Sequence, residues 1–183
     1  MDFWKACAEI SPPGTVTRGE EESFRLFTDG QAAMFFYGEW GQETIRSRAP
    51  EMDYGIALLP RPEDGQSIGT FGGFNLGINS NTQNEKLAWD FIQFATSKEV
   101  EKEITMITPA YKEAAFEYLE EKRKHSDVIF KQLSNSYFRP SVKNYFEIAA
   151  VQRNATAKIL LNQMKTKDAL DEAAKKIDEL LNN

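Results

Sequence analysis

Three apolar runs, each closed by glycine or proline, constrain this chain more than any other feature. Ala32–Tyr37 (AAMFFY) stops at Gly38, and Tyr54–Leu59 (YGIALL) stops at Pro60 and Pro62. Phe71–Ile78 (FGGFNLGI) is interrupted by the glycine pair Gly72 and Gly73. Runs this short and continuous are what a strand covered on both faces requires, as in a parallel or mixed sheet. Between and after them the period changes to that of helices. Glu20–Thr28 sets Phe24 and Phe27 three apart, with Gly30 placed to end the helix. A helical segment follows over residues 40–48. Leu87, Ala88, Phe91, Ile92 and Ala95 form one stripe, and Thr82-Gln-Asn-Glu85 predicts a capping box before it. Ser97 is expected to cap the next helix, carrying Val100 and Ile104. Helices are predicted over residues 111–124, 142–163 and, capped by Thr166, along Leu170, Ala173, Ile177, Leu180 and Leu181. Met1–Ile10 is short and amphipathic and ends at Pro12, Pro13 and Gly14. Strand–helix alternation followed by helices makes the class α/β with a helical C-terminal flank.

The amino-acid balance narrows the function. Of 183 residues, 41% are hydrophobic and 27% charged, which describes a folded chain rather than a disordered one. The formal net charge of −6 opposes binding to phosphate backbones, so no nucleic-acid partner is expected. The densest basic run, Lys122–Lys124, is read as a solvated helix face. The lone Cys7 permits no intrachain disulfide and is expected to be a small buried residue; the residues before it lack the leader that would make it a lipid anchor. No run approaches the length that spans a bilayer.

Catalysis finds no support in the residues. His125 stands alone on a polar helix end, without a second histidine or a nucleophile motif. There is no phosphate loop, dinucleotide fingerprint or metal-ligating spacing, so no enzyme activity, cofactor or metal is expected.

Two segments suit ligand binding. At Tyr37-Gly38-Glu39-Trp40 an apolar run ends and a helix begins, the place where ligands collect on open α/β sheets. A tryptophan there can lay its flat face on a sugar ring, with Glu39 as a hydroxyl acceptor; the alternative is a core residue in the first helical turn. At Phe71-Gly72-Gly73-Phe74, missing side chains let a ligand or another backbone approach; the alternative is a bulge or a bend.

The segments in order resemble a known family, the extracellular solute-binding proteins of bacterial sugar ABC importers (family 1, the maltose-binding-like group). Leu26–Trp40 (LFTDGQAAMFFYGEW), Asp53–Gly65 (DYGIALLPRPEDG) and Phe71–Glu99 carry the first part of the likeness. Ile107–Ala114 (ITPAYKEA), Arg139–Ile148 (RPSVKNYFEI) and Thr166–Leu181 carry the rest. The resemblance implies a periplasmic-binding-protein-like type II two-lobed clamp, represented here by a C-terminal portion. Residues 1–70 would then be part of the C-terminal lobe. Residues 71–110 would be a crossing segment with helices of the other lobe, and 111–183 the return crossing and helical flank. It further implies that Trp40 stacks on the sugar, that Gly72, Gly73 and Phe74 edge the cleft, and that Arg139 and Tyr145 reach the ligand. The alternatives are a hinge ion pair for Arg139 and a core contact for Tyr145. The partners implied are a carbohydrate and the membrane permease of an ABC importer, outside the cell or in the periplasm, with a lipoprotein anchor on a longer protein. An exposed lobe interface would favour self-association of the shorter chain. A polyamine, oxyanion or metal–chelate clamp, or an interaction scaffold of the same fold, are the rival readings.

Overall fold

The computed structural model describes residues 1–182 as two compact units. One unit is contiguous, Phe36–Arg139; the other is assembled from Met1–Phe35 and Pro140–Asn183.

The discontinuous unit is helical: α1 (Asp2–Glu9), α2 (Glu20–Thr28), α8 (Tyr145–Leu160) and α9 (Thr166–Leu181). Three glutamates in the first turn of α2 complement its dipole. Its last turn closes as a Schellman motif: Gly30 N–H donates to Phe27 O and Gln31 N–H to Leu26 O, with Gly30 at φ 72°. Asn162 plays the same part after α8, at φ 55°, so that α9 folds back along α8. The seam between the two carries Ala155 and Ile159 against Ala169 and Ala173, with Ile159 fully buried. Small residues bring the helices close. Lys158–Glu172 bridges one end of the seam and an Asn144 Nδ2–Leu180 O bond the other. The predicted stripe on α9 is shifted at Leu170, which is exposed, because Ala169 takes the inner row.

The contiguous unit contains α3 (Gly41–Arg48), β1 (Gly69–Phe71), α4 (Glu85–Ala95), α5 (Lys98–Ile104), α6 (Lys112–Lys122), α7 (Ser126–Ser134) and β2 (Ser136–Phe138). Its core gathers Tyr118 and Leu119 of α6 and Ile129 of α7, with Ile56, Phe130 and Leu133 packed around them. β1 and β2 pair in parallel, Gly69 opposite Ser136 and Phe71 opposite Phe138. Among the described residues this is the only sheet.

That sheet is smaller than the apolar runs predict. Residues 32–37 and 54–59 take no regular secondary structure and join no ladder, and only Phe71 of the third run is in a strand. Two of their N–H groups find other partners: Ala32 N–H donates to Leu26 O, and Leu59 N–H to the Gln132 side chain of α7, which also takes the Ser67 hydroxyl. A strand needs a neighbour as well as an apolar sequence. Met34, predicted to be covered, is 82% exposed. The hydroxyl caps differ too. Thr82 accepts from Asn84 N–H in a local turn instead of capping α4, and Ser97 donates to Phe94 O. α7 is not predicted by the sequence pattern, and His125, exposed and at φ 56°, starts it.

Candidate functional site

The Gly38–Gly41 turn is a tight entry into α3. Gly41 N–H donates to Gly38 O, Gln42 N–H to Glu39 O and Glu43 N–H to Trp40 O. The indole of Trp40 folds back over Gly38 so closely that a Cβ at residue 38 would overlap its six-membered ring. That contact is the physical reason for glycine in the Gly-x-Trp segment. The ring stays 48% exposed, and Tyr37 lies beside it at 5.7 Å between centroids, tilted 58°. A half-exposed indole with a second ring alongside is an apolar, polarisable platform.

Glu39 points the other way, into the protein. Its Oε1 accepts from the backbone N–H and the hydroxyl of Thr108, at 2.8 and 2.9 Å. Its Oε2 accepts from Arg123 Nε at 2.6 Å. The Arg123 side chain is 2% exposed and that of Glu39 13%. Nη2 donates to Met106 O at 2.7 Å and Tyr118 Oη at 2.8 Å, Nη1 to Lys122 O at 3.4 Å, and the cation sits 4.9 Å from the Tyr118 ring centre. Burial pushes the Tyr118 phenol above its ordinary value, with Arg123 pulling against that and Glu39 adding to it. Tyr54 is raised for the same first reason.

The expectation of a solvated face at Lys122–Lys124 is therefore corrected at its centre. α6 ends at Lys122, and Arg123, with φ −124° and ψ 134°, leaves the helical rotation and turns its side chain inward. Lys122 and Lys124 remain exposed. Gln42 completes the arrangement one turn beyond Glu39. Its Nε2 donates to Lys124 O, while its Oε1 accepts from Lys124 N–H and from the Tyr54 hydroxyl.

The parallel strand pair brings a second group together. Phe71 and Phe138 stack with centroids 5.0 Å apart, and Gly72-Gly73-Phe74 and Arg139 leave the same ends of the paired strands. Phe74 is 90% exposed, Arg139 is exposed, and a Cβ at Gly72 or Gly73 would meet open space. Tyr145 begins α8 in the other unit, partly buried, with its ring 6.3 Å from that of Phe146. Sequence reasoning missed Thr108, Tyr118, Arg123 and Gln42.

No helix among the described residues is long and apolar enough to cross a membrane.

The family described as bacterial extracellular solute-binding protein matches residues 1–102. A binding protein of Brucella abortus (strain 2308) is 26% identical over 176 residues, 94% of this chain and 43% of the relative. The galactooligosaccharide-binding protein of Bacillus subtilis (strain 168) is 28% identical over 153 residues, 81% of this chain and 36% of the relative. The chain thus spans less than half the length of these curated relatives. The crystal structure of the cyclic alpha-maltosyl-1,6-maltose binding protein from Arthrobacter globiformis matches with a TM-score of 0.55 at 19% identity. That match covers 93% of this chain and 49% of the neighbour, and it fixes the fold as a portion of the maltose-binding-like clamp. With more than half of its residues inside the family match, this chain belongs to the bacterial extracellular solute-binding protein family.

Proposed function

We propose that this chain is part of the solute-binding component of a bacterial ABC importer, working outside the cytoplasm, and that its ligand is a sugar or oligosaccharide. The observation that carries the reading is the Trp40 indole, half exposed on a rigid turn with Tyr37 beside it. Such a face suits the C–H side of a pyranose ring, and the relatives named for a galactooligosaccharide and a cyclic maltosyl-maltose point to the same ligand class. Gly72, Gly73 and Phe74 would offer backbone amides and an apolar edge, and Arg139 a donor for hydroxyls, in the cleft that the family fold implies. Closure on the ligand would be a population shift set by its extra affinity for the closed state, and the closed form would be presented to the permease.

Fluorescence titration tests this on the protein produced from its complete reading frame. With Trp4 and Trp89 replaced by Phe, Trp40 becomes the reporter among this chain's residues. Galactooligosaccharide or cyclic maltosyl-maltose should shift Trp40 emission saturably, and Trp40→Ala should abolish binding while leaving the circular dichroism unchanged. Micromolar affinity corresponds to about −8 kcal/mol. Saturation by spermidine or sulfate in place of every saccharide would reassign the ligand. Trp40→Ala unfolding the chain would make that ring a core residue.

A further inference from the structure

We propose that Glu39 and Arg123 are positioning residues for Trp40: their buried pair fixes the backbone beneath the indole, and Glu39 does not touch the ligand. The structural half of this stands by itself; its consequence for affinity rests on the sugar reading above.

Glu39 and Gln42 are three residues apart, so they share one face of the turn into α3 while Trp40 projects from another. Both grip one dipeptide. Glu39 takes the Arg123 side chain, and Gln42 clamps the Lys124 backbone through its N–H and its carbonyl together. Thr108 closes on Glu39 from a second segment, and Arg123 reaches back to Met106 in that same segment. The residues on both sides of Trp40 are thereby tied to Arg123 and Lys124, just past the end of α6, and to residues 106–108. Gly38 below the ring and Tyr37 beside it restrict what side-chain freedom is left.

The carboxylate of Glu39 accepts three hydrogen bonds from the protein and is largely covered. With Oε1 taken twice by Thr108, Oε2 bonded to Arg123 Nε and the side chain 13% exposed, the carboxylate leaves a sugar hydroxyl no more than one covered acceptor position. What Glu39 supplies is order present before the ligand arrives. A ring already held in place spares the ligand the entropy of fixing it, and that advantage appears in affinity.

The test is first done without ligand, on the chain with Trp4→Phe and Trp89→Phe. Acrylamide quenching and fluorescence anisotropy of Trp40 are compared in Glu39→Gln, in Arg123→Lys and in Ile129→Val. The last loosens the core of the same unit without touching the pair. Glu39→Gln and Arg123→Lys should both raise quenching and lower anisotropy well below their melting temperatures, and Ile129→Val should leave both at the parental values. Unchanged Trp40 signals in Glu39→Gln, or the same change in Ile129→Val, would overturn the assignment. These readouts hold whatever the ligand is, so they stand apart from any failure of the sugar reading. Where the parent binds galactooligosaccharide, Glu39→Gln should weaken binding about tenfold while keeping it saturable. Complete loss of binding with a normally ordered Trp40 would make Glu39 a ligand contact and refute the proposal.

Discussion

Replacing Arg123 by Met should be among the most damaging single substitutions in the contiguous unit. The guanidinium donates three bonds of 2.6–2.8 Å, to Glu39, Met106 O and Tyr118, from a side chain 2% exposed. An exposed ion pair would contribute about 0.2–1 kcal/mol. Here the substitution leaves Glu39 without its cation while it is still covered by protein. Removing one partner of a buried pair costs about 3–5 kcal/mol. Methionine fills much of the volume, so the loss is electrostatic rather than a cavity. With a urea slope of about 2 kcal/mol per molar, the denaturation midpoint should fall by roughly 2 M. Trp40 fluorescence in the Trp4→Phe, Trp89→Phe background reports this unit specifically. The double variant Glu39→Gln, Arg123→Met removes the stranded charge and should recover part of the loss, with a coupling of about 1–3 kcal/mol. A loss under about 1 kcal/mol, or strict additivity in the cycle, would show that the pair behaves as a surface pair and would refute the reasoning.

Two further outcomes follow from the backbone and from burial. Asn144 holds φ 58° at the start of α8 and donates to Leu180 O; Asn144→Ala should destabilise by about 1–2 kcal/mol, and Asn144→Gly by less, in urea melts followed by circular dichroism. Tyr118 is more readily protonated in the folded state than in the unfolded one, so its contribution is fully present below the unfolded phenol value near 10 and is lost as pH rises above it. Stability measured between pH 9 and 11 should therefore fall more steeply in the parent than in Tyr118→Phe.

The helices were legible because their signals are local. α2 was read to both ends from its phenylalanine spacing and Gly30, and the Schellman closure at Gly30 is a property of a few adjacent residues. The strands were not, because an apolar run reports a demand for cover and says nothing about which backbone will pair with it. Residues 54–59 show this most clearly: the run joins no strand, and one of its N–H groups goes to Gln132, which is 73 positions away in sequence from Leu59. The site divides along the same line. Trp40, with the glycine beneath it, is written in three consecutive residues. Arg123 was misread as solvated because a basic residue between two lysines carries no local sign that a glutamate 84 positions earlier will take it inward.

The order in which the two units appear along the chain bears on how the protein is made. Residues 36–139 form one uninterrupted compact unit, whereas the helical unit needs residues from both before and after it. On a ribosome adding about 5–20 residues per second, the segment from Pro140 onward takes seconds to emerge. A small contiguous unit can fold faster than that. The hydrogen-bonding anchors of the Trp40 turn lie between residues 38 and 124, so the turn can be complete while α9 is still being synthesised. During that interval α1 and α2 lack the α8 and α9 that complete their unit.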